Sequence, residues 1–377
     1  MNFEYSDEQQ QLADSLRKYL GNQYGFEQRK AIIQSPTGFS AQAWATFAEL
    51  GLLAIALPEA DGGFGGGAID LMAPMMACGE ALVVEPLLDN IALAGRLVAR
   101  AGSAAQRAAL LPGLIDGSAK LAFAALERGQ RYDLAPVGTT ATRQSDGWLL
   151  EGEKVVVIGA AAADALVVSA STGAQQASLF VVKPGADGVA LNPCRTVDGQ
   201  RAADVRLTKV QLADDALLGT LHGAQPLIDE AVDFATALLC ADAIGAMQYA
   251  NEATLEYLKT RKQFGVPIAS FQVLQHRMVE MTIVCEQARS MAILAASRVD
   301  GSAEGHGKAA ERQRAVSGAK VKIADAARHI SQESVQLHGG MGMTEELKIS
   351  HTFRRLTAIA QRFGDADHHL ERYATLG

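Results

Sequence analysis

No two cysteines in this chain stand close enough in sequence to suggest a metal clip or a local disulfide. The four present, Cys78, Cys194, Cys240 and Cys285, form no C-x-x-C pair. That pattern excludes a zinc ribbon or a disulfide framework and leaves buried small apolar residues in a reducing compartment as the expectation. A basic excess is also missing: 34 Lys and Arg stand against 42 Asp and Glu, a net charge of -8. Nucleic acid and anionic membranes, which reward positive charge, are therefore poor partners. No uncharged stretch reaches membrane-spanning length, and the opening MNFEYSDEQQQL has no basic region followed by an apolar run, so a soluble, cytoplasmic protein is expected. The glycine-rich stretch from Gly51 to Gly67 lacks the preceding strand and the following lysine of a P-loop. What is present is 377 residues, 49% hydrophobic and 20% charged, enough for two or three domains with a sizeable core.

Hydrophobic spacing divides the chain into three regions. Ser6 and Gln9 read as a capping box ahead of Leu12, Leu16 and Leu20 at helical spacing, and helical patterns continue to about Gly117. From Lys120 the period changes to short runs, Leu121 to Ala125, Gly138 to Arg143, Trp148 to Leu150, Lys154 to Ile158, Leu166 to Ser169, Leu179 to Val182 and Asp204 to Leu207. Asp146-Gly147 before Trp148 is a hairpin signal. After about Leu221, helical segments are predicted near 224–260, 270–299, 306–338 and 346–362, with a short one to the end. The expected class is α+β: an N-terminal all-α domain over 1–117, a middle antiparallel β-barrel-like domain over 118–222, and a C-terminal four-helix bundle over 223–377.

Two segments carry the chemistry. Arg261-Lys262-Gln263-Phe264-Gly265 ends one long helical segment, and Gln336-Leu337-His338-Gly339-Gly340-Met341-Gly342 ends another. At such ends the backbone can face a ligand. The Arg261 guanidinium can bind a pyrophosphate bidentately, Gln272 and Gln336 offer amides to phosphate, ribose or a base, and Gly339 and Gly340 let the backbone come close. Taken singly, Arg261 also reads as a surface ion-pairing residue and Gly339-Gly340 as an ordinary helix stop.

Taken in order, the set resembles the acyl-CoA dehydrogenase family. R-x-x-F-G at Arg261, Phe264 and Gly265, then Phe271-Gln272, then Gln336-x-x-Gly339-Gly340 follow Leu57-Pro58-Glu59 and Gly62-Gly63 in the expected order and spacing. The resemblance covers the whole chain. It implies FAD as cofactor, with Arg261, Phe264, Gln272, Gln336, Gly339 and Gly340 reaching the adenosine-diphosphate part of a flavin whose ring lies mainly in a neighbouring subunit. It also implies an oligomer, either a homo-oligomer or a heterotetramer with a related dehydrogenase subunit. The implied reaction is oxidation of an acyl-CoA thioester to the 2,3-enoyl-CoA, with electron-transfer flavoprotein or a similar acceptor taking the electrons.

The chain departs from the family pattern on the ring side. Where relatives carry a T-E-x-x-x-G-S-D-like loop, the sequence runs Leu126-Glu127-Arg128-Gly129-Gln130-Arg131-Tyr132-Asp133, with Glu127 at the acidic position. The strand expected to supply a tryptophan and a hydroxyl reads Lys154-Val155-Val156-Val157-Ile158. The reaction needs a carboxylate to remove the α-proton. Most relatives place a glutamate before a glycine in the last inter-helix loop, here Arg362-Phe363-Gly364-Asp365. Counting from either side brings Asp365, Phe363 or Gly364 onto that place. Asp365 is thus a candidate base, or the N-cap of the last helix, or both. Some relatives place the base on the first bundle helix, where this chain has Ala235; Asp242, two turns on, is either a base or half of an internal ion pair. Asp365, Asp367, His368 and His369 are not spaced as a metal shell, and no metal is expected. Glu345-Glu346-Leu347-Lys348 reads as a solvated helix start.

The same pattern is similar to the small subunits of two-component, pimeloyl-CoA-dehydrogenase-like enzymes. Two functions therefore stay open. One is a catalytic FAD-dependent dehydrogenase subunit using Asp365 or Asp242. The other is a non-catalytic partner that completes the FAD site of a related subunit.

Overall fold

The computed structural model describes residues 6–174, 176–301 and 306–376; the first five residues of the opening segment read above lie outside them. The helices are α1 (Asp7–Gln23), α2 (Phe26–Gln34), α3 (Ala41–Glu49), α4 (Ala68–Ala81), α5 (Arg96–Ala101), α6 (Ala104–Ile115), α7 (Ala224–Thr260), α8 (Gln272–Asp300), α9 (His306–His338), α10 (Lys348–Gln361) and α11 (Ala366–Thr375). The strands are β1 (Leu121–Ala124), β2 (Thr140–Gln144), β3 (Gly147–Ile158), β4 (Ala165–Gly173), β5 (Gln176–Val182), β6 (Val189–Arg195), β7 (Arg201–Leu212), β8 (Leu217–Leu218), β9 (Lys262–Gln263) and β10 (Val266–Pro267). The fold is α+β, helical before Leu121 and, apart from the short β9–β10 pair, after Leu218, with the main sheet between. Two compact units divide the chain: residues 1–30, 67–83 and 236–377 form one, and residues 31–66 and 84–235 the other.

In the second unit the strand order is β6-β7-β3-β2-β4-β5-β8, with β1 beside β4. Most pairings are antiparallel as expected, but β1 runs parallel to β4, and β2 meets β4 in a parallel bridge at Thr140 and Ser171. A purely antiparallel sheet is thus corrected to a mixed one. The hairpin forms where Asp146-Gly147 signalled it, with Ser145 and Asp146 as the two loop residues and Gly147 already paired to Gln144. The runs at Trp148 and Lys154 join into the single strand β3, which slips register against β7 twice, between Leu150 and Gly152 and between Lys154 and Val157. Such bulges bend a sheet. One face buries Trp148, Leu150, Val157, Leu166, Val168, Phe180, Val205 and Leu207 together. Strand β6 was not expected. It is an edge strand, mostly exposed and carrying Pro193, so it shows little alternation to read. It also carries Cys194, which is exposed, whereas Cys78, Cys240 and Cys285 are buried; the expectation of four buried cysteines is corrected at that position. Before the sheet, Asp89–Gly95 forms a buried turn of π-helix.

In the first unit, Ser6 and Gln9 form the expected capping box: the Gln9 amide donates to Ser6 Oγ at 3.2 Å and the Ser6 amide to Gln9 Oε1 at 2.8 Å. α9 packs against α8, α10 and α11. α4 and α7 cross at reciprocal glycines: a Cβ on Gly79 would stand 1.9 Å from the Asp242 carbonyl oxygen, and one on Gly245 would stand 1.8 Å from that of Met76. No other residue allows the two backbones to meet this closely. Among the described residues, no helix is long and apolar enough to cross a membrane.

Candidate functional site

α7 ends at Thr260, and the chain then makes a minimal hairpin, with Val266 paired to Gln263 and Pro267 to Lys262. Its two loop residues, Phe264 (φ +52°) and Gly265 (φ +80°), are both left-handed, the backbone that a two-residue hairpin of this hand requires. This is why glycine follows phenylalanine there. Phe264 is 92% exposed and meets Phe271 edge to face, ring centroids 6.1 Å apart. A bulky aromatic in the left-handed region, held out in solvent, is a strained arrangement that the chain's own packing does not explain.

α9 ends at His338, and Gly339–Met343 form a single 3-10 turn. Gly339 lies in the left-handed region that favours glycine, with φ +61°. Gly340 does not: its φ is ordinary, and a Cβ there would have no atom of the chain within 4 Å. Nothing within the described chain fills the space beside it.

The two turns lie at one end of the bundle. Tyr257, one turn before the end of α7, stacks on His338, ring centroids 4.4 Å apart and planes at 28°. Arg277 of α8 donates to Glu333 of α9 at 2.6 Å, so the start of α8, with Gln272, lies beside the end of α9, with Gln336. Arg261, Gln272, Gln336, Gly339 and Gly340 are all exposed. Among the described residues the Arg261 guanidinium has no carboxylate partner, and the Gln272 and Gln336 amides have no hydrogen-bond partner. An unpaired guanidinium, two free amides and a bare backbone make a surface suited to a diphosphate with a sugar and a base attached.

The carboxylates lie elsewhere. Asp242 is buried and paired with Arg355: Arg355 Nε donates to Asp242 Oδ1 at 3.2 Å, and Nη2 reaches Oδ2. Of its two expected roles the structure builds the internal ion pair; a carboxylate held in a guanidinium fork is poorly placed to take a proton. Asp365 is half-buried and caps α11, accepting the His368 amide at 2.9 Å. The residue immediately before Gly364, where most relatives are expected to carry the glutamate, is Phe363, with φ +59°. The loop is pinned from beneath. Lys320, fully buried, donates to the carbonyls of Ala360 at 3.1 Å and Gly364 at 2.6 Å, while His369 Nε2 lies 3.0 Å from the Phe363 carbonyl. Burial brings the Lys320 ammonium down to about 8 against the charge of Asp365, and burial together with Lys320 brings His369 down to about 3. Eighteen residues of α9, about 27 Å at 1.5 Å per residue, separate Lys320 from His338. The loop that carries Asp365 thus lies well along the bundle from the exposed surface of Arg261, Gln272 and Gln336.

In the second unit, Glu127 is engaged within its own loop. Its carboxylate accepts amides from Val137 (3.1 Å), Gly138 (2.7 Å) and Thr139 (3.0 Å) and the buried Lys154 ammonium at 2.8 Å. Lys154 completes its shell with the Ala125 carbonyl and Ser169 Oγ. Val156 occupies the β3 bulge with φ +51° and is exposed, its amide bound to Asp204. Sequence reasoning missed Arg355, Lys320 and Lys154, each of which gave a signal, a charge within an apolar-periodic run; it also missed the Tyr257–His338 stack, which gave none. Lys348, read as part of a solvated helix start, is instead half-buried with its ammonium 3.7 Å from the centre of the Tyr249 ring.

Residues 6–118, 122–214 and 226–374 match, in that order, the acyl-CoA dehydrogenase N-terminal, middle and C-terminal domains. Acyl-CoA dehydrogenase FadE12 of Mycobacterium tuberculosis is 32% identical over 373 residues, 95% of this chain and 93% of its own. The chain belongs to the acyl-CoA dehydrogenase family. Among solved structures of the family's fold, a Tcur3481–Tcur3483 steroid ACAD variant superposes with a TM-score of 0.86 at 30% identity, covering 98% of this chain and 97% of its own. The ChsE4–ChsE5 complex from Mycobacterium tuberculosis superposes with 0.88 at 24% identity, over 100% and 98%. In this family member the R-x-x-F-G hairpin and the Q-x-x-G-G turn are intact and outward-facing, whereas the position before Gly364 holds no carboxylate.

Proposed function

We propose that this chain is the flavin-completing subunit of a two-component, FAD-dependent acyl-CoA dehydrogenase. When bound, FAD supplies the hydride acceptor for oxidation of an acyl-CoA thioester to its 2,3-enoyl form. Arg261 binds the pyrophosphate of a flavin held mainly by a sister subunit, Gln272 and Gln336 engage its sugar and phosphate oxygens, and Gly339 and Gly340 let the backbone approach. The observation that carries the reading is a contrast. Three polar side chains at one bundle end are exposed and unpartnered, while Asp242, Glu127 and the Phe363–Asp365 loop are each occupied within the chain. The dicarboxylic or bulky alicyclic acyl-CoA substrates of the small-subunit enzymes it resembles are the expected class; the steroid relative, whose designation carries two component names, agrees with a paired assembly. Electron-transfer flavoprotein is the expected acceptor.

The test is an absorbance spectrum and an FAD-to-chain ratio. The chain expressed alone should be colourless, and the assembly purified from its host should carry one FAD per two chains. One FAD per chain with acyl-CoA turnover in the isolated homomer would sink the proposal. That outcome would favour the second reading, a self-sufficient dehydrogenase with the half-buried Asp365 beside Gly364 as its base; Asp365→Asn would then abolish turnover while leaving the flavin bound.

A further inference from the structure

Resting on the reading of the bundle end as a holder of FAD, the geometry points to a pair of positioning residues behind it: we propose that the stacked rings of Tyr257 and His338 hold the Arg261 hairpin and the Gly339–Gly340 turn in one fixed relation, so that both grip one ligand as a unit. The two turns are far apart in sequence, and no hydrogen bond or ion pair among the described residues links hairpin 262–267 to turn 339–343. A packed ring pair joins them instead, 4.4 Å between centroids.

Each ring is anchored on the turn it serves. The Tyr257 carbonyl accepts the Arg261 amide at 2.8 Å, and the Arg261 carbonyl accepts the Ile268 amide at 2.9 Å. The base of the hairpin therefore hangs from the backbone that carries the Tyr257 ring. His338 is the last residue of α9 and directly precedes Gly339. It is 4% exposed, with Nδ1 2.8 Å from the Ser334 carbonyl. A carbonyl partner makes Nδ1 the protonated nitrogen, and the bond fixes the ring plane. Burial, against the Ser334 hydrogen bond, holds the imidazole below its usual range. Rotation of either ring would let its turn swing independently, and a ligand spanning both would lose the geometry that makes two contacts act together.

The test uses the full-length chain in its purified assembly, with amide hydrogen exchange and FAD retention through gel filtration as readouts. Tyr257→Leu should raise exchange at 339–343, on a different helix from the substitution, and lower FAD retention about fivefold, the size expected from one aromatic pair. Tyr257→Phe, which keeps the stack, should restore both to within about twofold of the parent. His338→Asn removes the stack from the other side and should raise exchange at 262–268. Unchanged exchange at 339–343 in Tyr257→Leu, or a Tyr257→Phe as damaging as Tyr257→Leu, overturns the coupling. Arg261→Gln separates this idea from the reading beneath it. If Arg261→Gln keeps its FAD, the surface does not hold the dinucleotide; if it loses FAD while Tyr257→Leu keeps it, only the coupling fails.

Discussion

A lysine buried in a valine strand is costly unless partners are waiting for it, and Lys154 finds three. Burial alone would raise the Glu127 carboxyl, but the hydrogen bond and charge of Lys154 and the Gly138 and Thr139 contacts outweigh it and hold Glu127 at about 2. Lys154 moves against the pairing: burial brings it down to about 8 even with Glu127 beside it. Both values fall, with opposite consequences: the fall favours the charged carboxylate but disfavours the charged ammonium, because desolvating the ammonium costs more than the pair returns. Losing one partner is therefore the damaging event, and Glu127→Ala should destabilise by about 3–5 kcal/mol in urea titrations at pH 7. The pH dependence follows from the lowered carboxyl. Stability from Glu127 is fully present above its ordinary 4.5 and lost as pH falls toward about 2. The gap in unfolding free energy between parent and Glu127→Gln should accordingly narrow as pH falls from 5 to 2; a gap that stays constant would contradict the assignment. Lys154 announced itself in the sequence as a charge in an apolar strand. Glu127 as its partner did not, because the loop that brings it there follows no period.

At the scale of elements, the two glycines of the 339–343 turn separate backbone need from ligand need. Gly339 has φ +61° and Gly340 has an ordinary φ with open space beyond it. Gly339→Ala should cost about 1 kcal/mol of stability, whereas Gly340→Ala should leave it unchanged within about 0.5 kcal/mol. If the turn faces a dinucleotide, Gly340→Ala should nonetheless reduce FAD retention in the assembly, because its methyl group enters the ligand's space. Thermal melts and flavin absorbance on the same preparations check both halves. Long helices were the most readable elements: predicted spans at 224–260 and 306–338 coincide with α7 and α9, because each has many turns over which a period of 3.6 can be counted. Edge strand β6 and the two-residue β8 were not readable, since neither has a buried face long enough to alternate. The parallel place of β1 beside β4 depends on the connection between strands, which residue pattern does not encode. The motif order from Arg261 to Gly340 was legible for a different reason: it lies at helix ends, where one glycine or one guanidinium changes what the backbone can do.

At the scale of the whole molecule, the sequence indicated an assembly by resemblance, and α8 exposes apolar side chains on which that expectation can be tested. Val279 and Ile283 stand one helical turn apart on α8, 58% and 53% exposed, on the helix whose first residue is Gln272. Phe264, Met341 and Met343 are exposed at the end of the bundle where the Tyr257–His338 stack joins the two turns. Scattered apolar side chains on a surface mean little, but exposed aliphatic, aromatic and methionine residues on one helix and the two turns at its bundle end are of the kind a subunit contact uses. If a sister subunit presents a flavin here, it must also cover this apolar surface. Val279→Asp combined with Ile283→Asp should then shift the assembly to smaller species in sedimentation velocity and release FAD. Far-UV circular dichroism and melting of the chain itself should stay close to the parent, since both side chains are already in water when the chain stands alone. Loss of FAD with the assembly intact would place the flavin contact within one subunit. An unchanged assembly that keeps its FAD would show that this face of α8 is not the one the sister subunit covers.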